Sequence, residues 1–153
     1  MKKNKRISKY QFRLGSYFYD YKNSEFSNIG SISSNFYGEY INGEPFDNVK
    51  PIEITIDILK NWCHFETYEY IATGDFCVVG VKIIRIGDYN YKIKVYANDD
   101  WLWNISYITN PYDSNIEIQK ESKLTLTPIK YLNELQNWWQ LLTGKELEIN
   151  YEK

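Results

Sequence analysis

His64 is the only histidine in the chain, so any Ser-His-Asp or Cys-His nucleophilic system would have to run through it. Cys63 stands beside it and invites a thiolate–imidazole pairing, yet side chains one residue apart diverge on a helix. An acid brought near by folding, Glu66 or Asp75, could orient the ring instead. The simpler role for His64 is to finish a short helix, where an imidazole suits the negative end of the helix dipole. That role is preferred, and no catalytic residue is assigned.

Other chemistries are no better supplied. One histidine and two cysteines, Cys63 and Cys77, with no CxxC pair, cannot complete a zinc tetrahedron without carboxylates. Asp99-Asp100 suits a hairpin turn better than a cation. No DxDxDG loop, GxxxxGK[ST] or GxGxxG run occurs, and Thr143-Gly144-Lys145 ends a helix where a phosphate cradle would begin one. The chain has 20 acids, so a glycosidase-like carboxylate pair stays open, but nothing marks two of them. Neither cofactor nor metal is expected, and a small hydrolase ranks below binding functions.

Whatever these residues do, strands and two helices must position them. Thr127–Leu147 carries the marks of a complete helix. Thr127 can cap it, Pro128 sits where a missing N–H costs nothing, and Gly144 supplies a left-handed stop. Ile129, Leu132, Leu135, Trp139 and Leu142 recur at spacings of three and four, which makes one face apolar. A shorter helix begins at the cap Thr55, buries Ile58, Leu59 and Trp62, and closes near Cys63-His64.

Strand-like runs fill most of the remainder. They are Gln11–Tyr21 with Gly15 as a bend, Phe26–Ser34 paired with it, Phe76–Ile86, Tyr89–Ala97 and Trp101–Ile108. One or two more fall within Asn115–Leu126, and Leu147–Tyr151 reads as a strand-like end. Asn42-Gly43 and Gly87-Asp88 are turn signals. Consecutive hairpins predict an antiparallel β-sheet of about five to seven strands, packed by one long C-terminal helix and one shorter helix, an α+β fold. With 153 residues and no repeat or composition break, the expectation is one domain over residues 10–153 behind a basic arm at 1–9.

Charge and ring content point toward binding. Lys2, Lys3, Lys5, Arg6, Lys9 and Arg13 precede the first acid and leave the rest of the chain near −8 out of a net −2. Such an arm could touch phosphates, although a solvated tail is the commoner outcome. The chain has 15 Tyr and 5 Trp, a supply of large rigid area with a polar atom at the tip. An AT-rich genome explains the same excess of Ile, Lys, Asn and Tyr without any function.

Along Tyr89–Ala97, Tyr91, Ile93 and Val95 oppose Lys92, Lys94 and Tyr96, and in the next run Trp101, Trp103, Ile105 and Tyr107 share a face. The exposed members of Tyr89, Tyr91, Tyr96, Trp101, Trp103 and Tyr112, with Lys92 and Lys94, are the candidate partner contacts. Lys82 and Arg85 join Lys92, Lys94 and Tyr96 on one hairpin, so RNA or DNA binding is the alternative. An acidic nucleic-acid mimic is disfavoured by the mild net charge. No run approaches the length needed to cross a bilayer, no apolar stretch follows the basic N-terminus, and two unpaired cysteines suit a reducing compartment. A bacterial cytoplasmic setting is expected.

Three blocks carry a resemblance. They are Arg13-Leu14-Gly15-Ser16-Tyr17, the segment from Lys50-Pro51-Ile52 through Leu59 to Phe65, and the C-terminal set Lys130-Tyr131, Leu135-Gln136-Asn137 and Leu141-Leu142-Thr143-Gly144-Lys145-Glu146-Leu147. In these blocks the chain resembles a group of small proteins carried by phages, prophages and mobile elements of Bacteroidota. Where that group often has a histidine before Leu-Gln, this chain has Asn133-Glu134. The resemblance transfers no catalytic residue. It implies a phage or mobile-element accessory protein acting inside a bacterial cell, of the kind that inhibits host defence, anti-CRISPR proteins included. The expected partner is then a host protein or ribonucleoprotein such as a CRISPR effector.

Overall fold

The computed structural model describes residues 11–72, 74–97, 102–109, 121–123 and 128–151. They form an α+β fold dominated by antiparallel strands, and cluster into two compact units. One unit takes the described residues up to Glu53 with Tyr131–Glu146. The other takes Ile54–Lys130 with those after Glu146.

The first unit contains β1 (Tyr17–Asp20), β2 (Glu25–Asn28), β3 (Ile32–Asn35), β4 (Gly38–Ile41), β5 (Glu44–Pro45) and β6 (Val49–Pro51). They make two three-stranded sheets, ordered β2-β1-β6 and β3-β4-β5. The expected run Phe26–Ser34 pairs with β1 only through β2, because the chain bends at Ile29–Ser31 and starts a second sheet. The amide of Asn42 stabilises that bend. Its Oδ1 accepts the N–H groups of Gly30 and Ser31 at 2.7 and 3.1 Å, and its Nδ2 donates to the Asn28 carbonyl at 2.9 Å. Asn42 and Gly43 both have positive φ, 53° and 80°, as the tight turn between β4 and β5 requires. Phe12, Phe18, Ile29, Ile41, Phe46 and Val49 form this unit's apolar core.

Helix α1 (Leu132–Thr143) packs on β1. It starts later than Thr127–Pro128 would place it, and Thr127 lies outside the described residues. The reason is tertiary. Ile129 exchanges both backbone hydrogen bonds with Trp103, each 2.8 Å, and Tyr131 bridges to Glu53, so this segment runs extended. Glu134 then caps the helix by accepting the Tyr131 N–H at 3.0 Å. Leu132, Leu135 and Trp139 are buried as the spacing predicts, and Gly144 ends the helix at φ 72°.

The second unit is built on β7 (Glu66–Ala72), β8 (Asp75–Ile86), β9 (Tyr89–Ala97), β10 (Trp103–Thr109) and β11 (Glu121–Lys123), ordered as they follow in the chain. The short helix is present as a π-helical turn, Ile58–Trp62, whose Ile58, Leu59 and Trp62 are buried. Thr55 caps it as expected, its Oγ1 accepting the Ile58 N–H at 3.2 Å. The turn seats against β8 at Gly80, where an added Cβ would lie 3.3 Å from Leu59 and 3.2 Å from Val95. Leu147–Tyr151 forms no strand, although Asn150 donates its backbone N–H to the Trp62 carbonyl at 2.9 Å. Among the described residues no helix is long and apolar enough to cross a membrane.

Candidate partner-binding face

The strand alternation of β9 divides the expected contact residues between two faces. Ile93, Val95 and Ala97 are buried on one side, and Tyr91 belongs with them, its ring 6.0 Å from that of Tyr107. Trp103 lies on that side as well. It is 0% exposed, and its indole N–H donates to the Ile54 carbonyl at 3.3 Å. Trp103 is therefore a core residue that no partner can touch, which corrects its place among the contacts. Alternation shows that Trp103, Ile105 and Tyr107 share a face, but not that the face is covered.

The opposite side gathers Lys92, Lys94 and Tyr96. In register, Lys92 stands between Ile83 and Ile108, Lys94 between Val81 and Ser106, and Tyr96 between Val79 and Asn104. Paired residues of an antiparallel sheet share a side, so these side chains form one surface. Tyr68, opposite Val79 on β7, extends it. Val79 and Val81 are buried on this face, whereas Tyr68 and Ile83 are 47% and 44% exposed. The Lys94 ammonium lies 5.3 Å from the centre of the Tyr96 ring, a cation–π contact. Tyr68 and Ile83 were not anticipated, although period-two alternation in β7 and β8 could have placed them.

Lys82 leaves the expected basic set. It pairs with Ile93 on the buried side and donates to the Cys63 carbonyl at 2.9 Å. Arg85 lies near the β8–β9 turn and donates to the Gly87 carbonyl at 3.2 Å. Tyr89 is exposed beside the same turn. Trp101 and Tyr112 lie outside the described residues, as do Lys2, Lys3, Lys5, Arg6 and Lys9.

The Cys63–His64 neighbours do not make a nucleophile pair. Cys63 is fully buried, and burial pushes its thiol up to about 12 against the pull of the Lys82 charge, so the thiolate is scarce at neutral pH. His64 ends the π turn at φ 60° and is exposed, with Nε2 accepting from the Asn150 side-chain amide at 2.8 Å. Among the described residues no group of three or more His, Cys, Asp or Glu side chains is placed to hold a metal ion.

In the first unit, several residues that carry the resemblance meet in one network. Arg13 Nε donates to the Asn137 side chain at 2.6 Å. Its two terminal nitrogens reach Glu146 at 2.7 and 3.0 Å, and each also reaches a backbone carbonyl, of Leu14 and Gln136. These five bonds use all five donors of the guanidinium. Gln136 is buried and spans two backbone groups, donating to Gly15 O at 2.9 Å and accepting from Tyr17 N at 2.8 Å. An open depression of about 360 Å³ is lined by Arg13, Asn137, Gln140 and Leu141. With every Arg13 donor engaged, the cluster fastens the segment before β1 to α1 and has no spare guanidinium N–H for an anion.

Comparison with protein-family models, curated proteins and solved structures finds no match to this chain.

Proposed function

We propose that this chain is a binding protein that works in a bacterial cell by occupying a surface of a host protein or ribonucleoprotein. A phage-borne inhibitor of host defence, such as one directed at a CRISPR effector, is the specific form of this reading. The observation that carries it is the face of Lys92, Lys94 and Tyr96 with Tyr68 and Ile83, which combines rings, an aliphatic side chain and positive charge. Such a mixture suits the aromatic anchors and polar rim of a protein interface. The test is affinity purification of the tagged chain from bacterial cells, in parallel with a Lys94→Glu/Tyr96→Ala variant. A partner held by the parent and lost by the variant supports the reading. Equal recovery by both, or none above background, overturns it.

Nucleic-acid binding is the second reading, favoured by the Lys94 ammonium over the Tyr96 ring. That pair would offer a base-stacking surface beside a phosphate contact. A mobility shift with single-stranded RNA that weakens steeply between low and moderate salt, and is lost in Lys92→Glu/Lys94→Glu, selects this reading. No shift at low salt eliminates it.

A further inference from the structure

The β3–β4 hairpin carries the most exposed rings among the described residues. Phe36 is 91% exposed and Tyr37 87%, and they contact edge-to-face with centroids 5.7 Å apart at the turn between Asn35 and Gly38. The strand leading to them, β3, is an edge strand, and all four of its residues are exposed.

The open edge can be assigned group by group. Asn42 donates its N–H to the Ser31 carbonyl at 3.0 Å, so Ser31 turns its hydrogen-bonding groups toward β4. By alternation Ser33 and Asn35 do the same, and Ile32 and Ser34 turn theirs outward. Sheet edges are ordinarily blunted by a charge, a proline or a bulge, and β3 has none of these. From Phe26 to Gly38 there is no charged residue at all.

Charge also narrows the occupant. Between Lys22 and Lys50 the chain contains Glu25, Glu39, Glu44 and Asp47 but no lysine or arginine, which disfavours phosphate-bearing partners such as nucleic acid or anionic lipid. A second copy of β3 fits better. In a two-fold antiparallel pairing the residue on the axis meets its own equivalent, where a charge would face its like, and β3 carries no charge to do so.

We propose that β3 pairs edge to edge with β3 of a second copy, antiparallel about a two-fold axis through Ser33. In that register the outward N–H and C=O groups of Ile32 and Ser34 exchange four hydrogen bonds with Ser34 and Ile32 of the copy. Ser33 meets its own equivalent, where two small side chains fit. The pairing is independent of the Lys92–Tyr96 face, so its failure leaves the partner-binding reading untouched.

Sedimentation velocity on the purified full chain tests it. A four-residue strand makes a small interface, so the average mass should climb from 18.3 kDa toward twice that as concentration rises from ~10 µM to ~1 mM. Ser33→Lys and Ser33→Glu should each bind themselves at least ~10-fold more weakly, because like charges then face each other across the axis. An equimolar mixture of the two variants should regain the association. A parent chain that stays monomeric at ~1 mM overturns the proposal. So does a dimer that neither variant weakens, or a mixture that behaves like its separate components.

Discussion

Arg13 and Glu146 stand 133 positions apart in the chain, yet their side chains form a two-pronged ion pair with N–O distances of 2.7 and 3.0 Å. The pair is partly exposed, and exposed ion pairs contribute little. Gln136, one turn along the same network, is buried and spans two backbone groups. Glu146→Gln should therefore cost less than ~1 kcal/mol in urea denaturation. Gln136→Ala should cost ~1–3 kcal/mol, because the Tyr17 N–H and the Gly15 carbonyl lose their partner. The opposite ranking would place the stabilisation in the charges.

Gly80→Ala should destabilise by ~1–3 kcal/mol in the same measurement. Gly80 is not at positive φ, so the cost is one of packing alone. The new methyl meets Val95 at 3.2 Å, Leu59 at 3.3 Å and Phe65 at 3.4 Å. A neutral result would mean that the π-helical turn is not seated on β8 as described.

Cys63 should resist a soluble disulfide reagent at pH 8 in the folded chain and react once denaturant is added. Burial holds its thiol up at about 12, partly offset by Lys82. A thiol raised on folding stabilises the fold below its unfolded pKa of ~8.5, and that contribution is lost as pH rises toward the folded value. Stability should thus decline above pH ~8.5, and less so in Cys63→Ala. Rapid labelling of Cys63 in the native state would refute the assignment.

Asp20 and Glu44 share one amide. Asn23 Nδ2 donates to Asp20 at 2.8 Å and to Glu44 at 3.1 Å. Burial pushes Asp20 up, but hydrogen bonds from the Asn23 side chain, Glu44 and the Asn23 and Lys22 N–H groups overcome it and hold it below the usual carboxylate value. Lost hydration, then the hydrogen bond and charge of Asp20, push Glu44 up. Asp20 gives stability above its unfolded pKa that vanishes as pH falls through its depressed folded value. Glu44 does the reverse, its contribution fading as pH rises through its raised folded value. Glu44→Gln should therefore melt at a higher temperature than the parent at pH 7 and show no advantage at pH 4.

Much of the architecture was legible in the residues. Alternation along Tyr89–Ala97 set Ile93 and Val95 on one face and Lys92, Lys94 and Tyr96 on the other, Asn42-Gly43 marked a turn, and Thr55 and Gly144 marked helix ends. The start of α1 was not legible. Thr127-Pro128 is a fair local signal, but the extended run before Leu132 is set by Trp103 and Glu53, which local propensity does not see. Periodicity likewise ordered Tyr91 and Trp103 onto a face without revealing which face the fold covers. The Arg13–Gln136–Asn137–Glu146 cluster joins blocks far apart in the chain, and nothing local signals that they touch. Phe36-Tyr37 escaped notice because neither ring is a turn-forming residue.

Each compact unit is assembled from two separated stretches of chain, and the whole of Ile54–Lys130 intervenes between β6 and α1. On the ribosome, β1 must therefore wait for Gln136, 119 residues beyond Tyr17, to be synthesised. At ~5–20 residues per second that delay is roughly 6–24 seconds, during which the β3 edge and the two rings beside it are carried by an unfinished unit. Prematurely terminated translation products would then be the most aggregation-prone form of this molecule.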